Sequence, residues 1–336
     1  MKLRYYIIKR ILLFSLVLFG ISVITFFVSH VIPGDPARLA AGLHAKPEQV
    51  EFFRHKMGLD KPIFVQYFIY MKGLLQGDLG ISIRTRRPVI EDILNYLPAT
   101  LELTIVSLIL IVILGIPLGV ISAVHKDKLY DHVCRIWSLF GVSAPTFWVG
   151  LMVLLVFYLK LGLIPSGGRL DSTIQLTRIT GLYILDSLLT FNFPALVSSI
   201  IHILPPACVL AYSELAIITR MTRATMLETL SQDYIKTAKA KGLSERKVIY
   251  KHALRNALIP IVSVIGLTLG YLLGGSFLVE TVFSWPGIGL YAARSIMELD
   301  FNAIMGVTIV YALIYSLINL IVDIIYTILD PRIRLG

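Results

Sequence analysis

Charge is scarce in this chain. Lys, Arg, Asp and Glu make up 15% of its 336 residues, against about 25% in soluble domains. With 56% apolar residues and a mean hydropathy of +0.79, too few polar groups remain to cover a globular surface, which argues against a soluble enzyme. The same figures exclude disorder and fibrous repeats. Cysteine is rarer still, since Cys134 and Cys208 alone cannot build a disulfide framework. The histidines, His30, His44, His55, His125, His132, His202 and His252, include no pair at metal-ligand spacing. Neither HExxH nor CxxC occurs, so no metal site is expected. A GxxxxGK(S/T) phosphate loop is also missing, and any nucleotide chemistry has to come from another chain.

Long apolar runs take the place of these features. A bilayer core needs about 20 apolar residues per helix, because no water is there to satisfy open backbone groups. Six stretches qualify: Ile11–Val31, Thr100–Val124, Ile136–Leu159, Leu196–Ile218, Ala257–Val279 and Ile304–Ile328. The expected fold class is therefore all-α integral membrane with six transmembrane helices. The first run follows Lys2, Arg4, Lys9 and Arg10, as a secretory signal would. It is too long for a signal core, no convincing small-residue cleavage site closes it, and it reads as a retained anchor.

Basic residues in short connections set orientation. With the N-terminus inside, eighteen of the 31 Lys and Arg fall in the N-tail, 125–135, 219–256 and the C-tail. Only four fall in the short outer connections 160–195 and 280–303. The other nine lie in 32–99, which exceeds ~60 residues and is exempt from the rule. Both termini are expected in the cytoplasm, and the net charge of +10 is explained without nucleic acid. The expected organisation is a helix plus extracytoplasmic segment (1–99), a five-helix core (100–330) with a cytoplasmic loop (219–256), and a cytoplasmic tail (331–336). The 32–99 segment carries Phe52, Phe53, Phe64, Tyr67, Phe68 and Tyr70, enough to fold against the membrane domain, with turns at Pro33-Gly34-Asp35-Pro36 and Gly77-Asp78.

Gly266, Gly270 and Gly274 stand four residues apart, with Gly275 adjacent, and Gly115 and Gly119 repeat the step around Pro117. Such spacing lets helix backbones approach closely. It serves either packing within the chain or a seam with a partner membrane subunit or a moving pore wall. Pro117, Pro145, Pro205, Pro206 and Pro260 are expected to kink or end helices. The acidic groups of the spans, Glu102, Glu214 and Asp323, fall toward helix ends rather than the midplane, which counts against a proton- or sodium-driven carrier.

The loop 219–256 carries most information. In Ser231–Arg246, Asp233 can cap a short helix running through Tyr234 to Lys241, and Gly242 supplies a left-handed stop. Ser244 can cap a second helix toward Asn256. Thr237, Ala238, Ala240 and Gly242 keep this knob thin. The residues alone leave two readings open: a solvated basic hairpin near anionic lipid, or a knob seated in a partner's groove.

The run Asp233-Tyr-Ile-Lys-Thr-Ala-Lys-Ala-Lys-Gly242, followed by His252-Ala-Leu-Arg-Asn-Ala-Leu-Ile-Pro260, resembles the coupling loop of ATP-binding cassette importer permeases. More narrowly it is similar to the dipeptide/oligopeptide/nickel permease family, B-type subunit. Matches in order along the chain support this: Ile32–Pro36, Gly58–Pro62, Gly77–Ser82, Leu97–Leu103, Phe283–Gly289 and Asp330–Arg334. The chain departs from the general importer consensus, with Lys236-Thr237-Ala238 in place of Glu-Ala-Ala and Leu254-Arg255 in place of Leu-Pro. The missing glutamate puts in doubt any ion pair it would have made.

The resemblance implies the type I ABC importer permease fold and a non-catalytic subunit of the plasma (inner) membrane. It implies a homologous permease or a second copy as partner, two ATP-binding subunits, an extracytoplasmic substrate-binding protein and surrounding lipid, with ATP held by the partners. Coupling would fall to Asp233, Tyr234, Thr237, Ala238, Lys239, Ala240, Lys241, Gly242, Leu243 and Ser244. ATP-driven closure would push on the loop around Ala238 and Gly242. Dipeptides or oligopeptides are the expected cargo, with nickel, haem and oligosaccharides as alternatives within the class. A gradient-driven carrier and a non-transporting scaffold are the alternatives outside it.

Overall fold

The computed structural model describes residues 3–31, 35–42 and 45–329. Among these there is no strand, only an isolated antiparallel bridge between Ile81 and Pro88. Motif residues 32–34, His44 and the run 330–334 lie outside the described residues, as do the side chains of Lys2, Arg4, Lys9, Arg10, His30 and Asp323. The chain divides into two compact units, residues 1–98 with 286–317, and residues 99–285 with 318–336.

In the first unit, α1 (Leu3–Val31) is followed by α2 (Pro36–Ala41), α3 (Pro47–Lys56) and α4 (Ile63–Leu75). Asp35 starts α2 by accepting from the Ala37 amide, and its other oxygen takes Arg54 Nη2 of α3 at 2.6 Å. Of the aromatic residues in this segment, Tyr67 and Tyr70 reach α1. Tyr67 Oη lies 2.9 Å from Ser22 Oγ, and both rings pack on buried Phe26. Phe52, Phe64 and Phe68 stay exposed. Two buried carboxylates organise the rest of the unit. Asp300 accepts from Ser82 Oγ and the Arg84 amide, and Asp92 accepts from Thr85 Oγ1 and Tyr291 Oη.

Helix α5 (Val89–Leu110) passes through a π turn, Ile111–Gly115, into α6 (Ile116–Val124). It starts eleven residues before the apolar window, because Glu91, Asp92 and Asn95 are good residues for a helix start but not for hydrocarbon. The π turn directly precedes Pro117, whose missing amide breaks the regular hydrogen-bond ladder.

The second unit continues with α7 (Leu129–Ser143), α8 (Thr146–Val153) with a π extension to Lys160, and α9 (Tyr183–Leu189). Next come the 38-residue α10 (Phe193–Leu230), α11 (Asp233–Ala240), a π turn (Lys247–Ala253) and α12 (Leu254–Val282). Helices α13 (Ile288–Met297) and α14 (Phe301–Leu329) complete the chain.

Among the described residues four stretches are long and apolar enough to cross a membrane: Val89–Val124, Phe193–Leu230, Lys247–Val282 and Phe301–Val322. Leu12–Val28 adds a shorter apolar helix. The third expected span, Ile136–Leu159, is not straight, because α7 and α8 meet at 104°. Pro145 causes the break, since the residue before a proline avoids helical backbone and Ala144 is extended, at φ −85° and ψ 132°.

The core of this unit gathers on α10. Ile203, Ala207, Leu210 and Ile218 pack with Leu103 and Ile111 of the α5 segment, Leu272 of α12, and Phe283 and Trp285 beyond it. Trp285 is fixed by donating from Nε1 to the Ala99 carbonyl at 2.9 Å.

Candidate functional site

Two residues, Ser231 and Gln232, separate α10 from α11, and the chain then doubles back into α12. Helix α11 begins at Asp233, but the cap position falls on Gln232, which makes no side-chain cap bond. The sequence expectation of Asp233 as cap is thus off by one residue. Its carboxylate, in the first helical turn, takes Lys236 Nζ at 2.8 Å instead. Both groups are largely exposed, so this pair adds little to stability.

The far end of α11 is a Schellman stop. The Leu243 amide donates to Ala238 O, and the Gly242 amide donates to Lys239 O. Gly242 sits at φ +74°, where a side chain is strained, although a Cβ there would meet nothing within 4 Å. Open space at Gly242 means that the glycine serves backbone geometry and leaves the tip flat. The second helix starts directly after Ser244, whose carbonyl accepts from the Val248 amide.

Helical periodicity sorts α11 into two faces. Ile235 and Ala238, three apart, turn inward onto Met226, Val248, Ala253 and Ala257. Asp233, Tyr234, Lys236, Thr237, Lys239, Ala240, Lys241, Gly242 and Ser244 are exposed, and Leu243 is partly covered. Ala238, which the sequence places in the surface meeting a partner, is 7% exposed and belongs to the knob's own core. Asn256 Nδ2 donates to Tyr234 Oη at 2.8 Å and ties α11 to α12. Beside that bond lies an open hollow of about 430 Å³ lined by Tyr234, Lys251, His252, Arg255 and Asn256.

The end of α10 that carries the knob is held by a buried ion pair missed in the sequence. Asp131 of α7 is fully buried and accepts from Arg223 Nε at 2.6 Å and Nη2 at 2.7 Å. Ser122 Oγ at 2.6 Å and the Asp127 amide at 3.0 Å complete its shell. One turn away, a Cβ on Gly119 would come within 2.4 Å of Thr222 Cβ, so α6 and α10 touch backbone to side chain. Ninety-two residues separate Asp131 from Arg223, and nothing local in the sequence marks them as partners.

The remaining sequence-picked groups fall in different places. A Cβ on Gly266 would meet Val322 of α14 at 2.3 Å, one on Gly275 would meet Leu210 of α10 at 3.5 Å, and one on Gly274 would meet nothing within 4 Å. Gly270 is partly buried. Glu102 is buried with Arg169, whose Nη2 donates to it at 2.5 Å and to Gly181 O at 2.8 Å. Tyr183 covers the guanidinium at 3.7 Å. Burial drives Arg169 below its ordinary value, a pull that Glu102 opposes. In the same connection Asp186 is buried. Desolvation pushes its carboxyl up, but the Thr180 hydroxyl and the amides of Thr180, Gly181 and Ile179 outweigh that and hold it below the usual range. Glu214 of α10 accepts from Thr268 Oγ1 of α12 at 3.2 Å. Thr268 stands midway along the apolar stretch Ala257–Val279. Among the described residues no group of three or more His, Cys, Asp or Glu could hold a metal ion.

Comparison with known proteins extends over nearly the whole length. Residues 115–335 match the family model described as binding-protein-dependent transport system inner membrane component, and residues 3–104 match the model for its N-terminal region. A probable D,D-dipeptide transport system permease protein of Escherichia coli is 48% identical over 96% of this chain and 95% of its own. A dipeptide transport system permease protein of Alkalihalophilus pseudofirmus is 44% identical over 98% and 99%. A glutathione transport system permease protein of Escherichia coli is 38% identical over 98% of each. Among solved structures, the inward-facing MetNI methionine ABC transporter is similar with a TM-score of 0.50 at 20% identity, over 69% of this chain and 93% of that one, a likeness of fold.

Proposed function

Since the chain belongs to the family of inner membrane components of binding-protein-dependent transport systems, we propose that it is the permease subunit of an ATP-driven importer of short peptides. Dipeptides and glutathione, named for the similar permeases, are all short peptides, which supports that cargo over nickel, haem or sugars. The subunit is not itself an enzyme. It works with a second permease subunit, two ATP-hydrolysing subunits and an extracytoplasmic binding protein that delivers the peptide. Both chain ends and the knob lie on the cytoplasmic side, the side to which the basic residues of 219–256 belong.

One observation carries the coupling role. The knob is rigid inside and bare outside: Ile235 and Ala238 are sunk in a core shared with α10 and α12, while the opposite face offers Thr237, Lys239, Ala240, Lys241 and the flat Gly242. A partner gripping that face moves α10 and α12 with it, because packed side chains transmit displacement. ATP-driven closure of the partner dimer then switches the helices between inward- and outward-open states.

Replacing Gly242 by Trp puts bulk on the flat tip and a side chain at a left-handed φ. In the reconstituted assembly, Gly242→Trp should abolish peptide uptake and leave ATP hydrolysis running without cargo, with normal membrane insertion. Wild-type uptake by that variant would reject the coupling role. Calorimetry of the cognate binding protein against dipeptides, Ni²⁺ and oligosaccharides tests the cargo separately.

A further inference from the structure

The buried or half-buried acids in the second unit mostly have a strong partner. Glu102 has Arg169, Asp131 has Arg223, and Asp186 has three amides and a hydroxyl. Glu280 takes the Thr100 hydroxyl at 2.7 Å, and Glu214 takes the Thr268 hydroxyl, with no Lys, Arg or His within ion-pair distance of Glu214 among the described residues.

Its depth makes that arrangement costly. Glu214 stands six residues from Arg220, about 9 Å of helix, and Thr268 stands thirteen residues from Arg255, about 20 Å. The carboxyl is therefore inside the hydrocarbon zone of two membrane-crossing helices. Thr268 is 1% exposed, but Glu214 is only partly covered. So are Ile217 and Met221, which continue its stripe one and two turns along α10. A carboxylate within the apolar part of a span is unfavourable against lipid and turns toward the bundle interior or a water-filled cavity. Its open side is left to water, cargo or the second permease subunit.

We propose that Glu214, steadied by Thr268, lines the peptide path and receives the α-ammonium group of the passing peptide. This rests on the peptide-import reading. A free α-amino group has a pKa near 8 and is charged at neutral pH, so every unblocked peptide brings the cation that Glu214 lacks. A single carboxylate with one supporting hydroxyl is also suited to passage, because a conducting site must release what it admits. Thr268 is a positioning residue in this scheme, and Glu214 is the contact.

The test uses the reconstituted assembly in proteoliposomes, with Cys134→Ser and Cys208→Ser as background. Glu214→Cys should react with a membrane-impermeant cationic methanethiosulfonate, and peptide-loaded binding protein with ATP should slow that reaction at least fivefold. Glu214→Gln should lower peptide moved per ATP hydrolysed about tenfold, Glu214→Asp should keep more than half, and Thr268→Val should lose about threefold. The proposal is overturned if the cysteine never reacts, if peptide does not protect it, or if Glu214→Gln moves peptide at the wild-type ratio. A wild-type assembly that moves no peptide at all would sink the importer reading instead, while the thiol reaction would still report whether position 214 meets water.

Discussion

Removing the guanidinium of Arg223 tests how the knob is anchored. Arg223→Met keeps an unbranched apolar stem and deletes both donors to Asp131. The carboxylate is 0% exposed and would keep only Ser122 Oγ and the Asp127 amide. Breaking a buried pair by removing one partner costs about 3–5 kcal/mol. The low end applies here, because two donors remain and the Arg223 side chain is 22% exposed. At about 2 °C per kcal/mol for a long chain, Tm of the detergent-purified protein should fall by about 6 °C. Asp131→Leu alone leaves the cation unpaired and should cost a similar amount. The double variant Asp131→Leu with Arg223→Met should be less destabilised than the sum of the singles, because no buried charge is stranded. A Tm within 1 °C of wild type for Arg223→Met, or strict additivity in the double variant, would refute the view that this pair clamps α7 to α10.

Three further outcomes follow from the same geometry. Gly119→Val forces a side chain into Thr222 and should destabilise by at least about 2 kcal/mol, read as a lower midpoint in thermal unfolding. Ile235→Ala empties the knob's core at a cost of about 2–4 kcal/mol and should lower peptide uptake more than ATP hydrolysis, because α11 loses its grip on α10. Asp186 has a folded-state pKa below its unfolded value, so its contribution is complete above the unfolded pKa of about 3.9 and fades as pH falls through the folded one. Hydrogen-exchange protection factors at Ile179–Gly181, taken against the intrinsic rate at each pH, should therefore fall below about pH 4 in the wild type, and Asp186→Asn should have lost them already at neutral pH.

The sequence made the membrane class and the knob legible for plain reasons. Apolar windows mark hydrocarbon, and a short helix followed by Gly242 marks a left-handed stop. It did not mark where helices extend past the apolar window, so α5 begins at Val89 and α10 runs on to Leu230. Periodicity alone does not say which face of α11 points inward; packing on Met226 and Val248 is what turns Ala238 into the knob's core. The polar partners are hidden for another reason. Arg169 with Glu102 and Arg223 with Asp131 are joined only by folding across 67 and 92 residues. Pro145 signals a break, but a proline does not state its angle, which is 104° here.

Helix α10 has 38 residues, or about 57 Å of length. Its ladder lacks two amide donors at Pro205 and Pro206, so bending is cheapest there. From that point to the knob the arm measures about 36 Å. A swing of roughly 5° about the two prolines carries the knob about 3 Å, close to the radius of a helix backbone. In the other direction, a short stroke at the tip becomes a small, stiffly geared rotation about the two prolines.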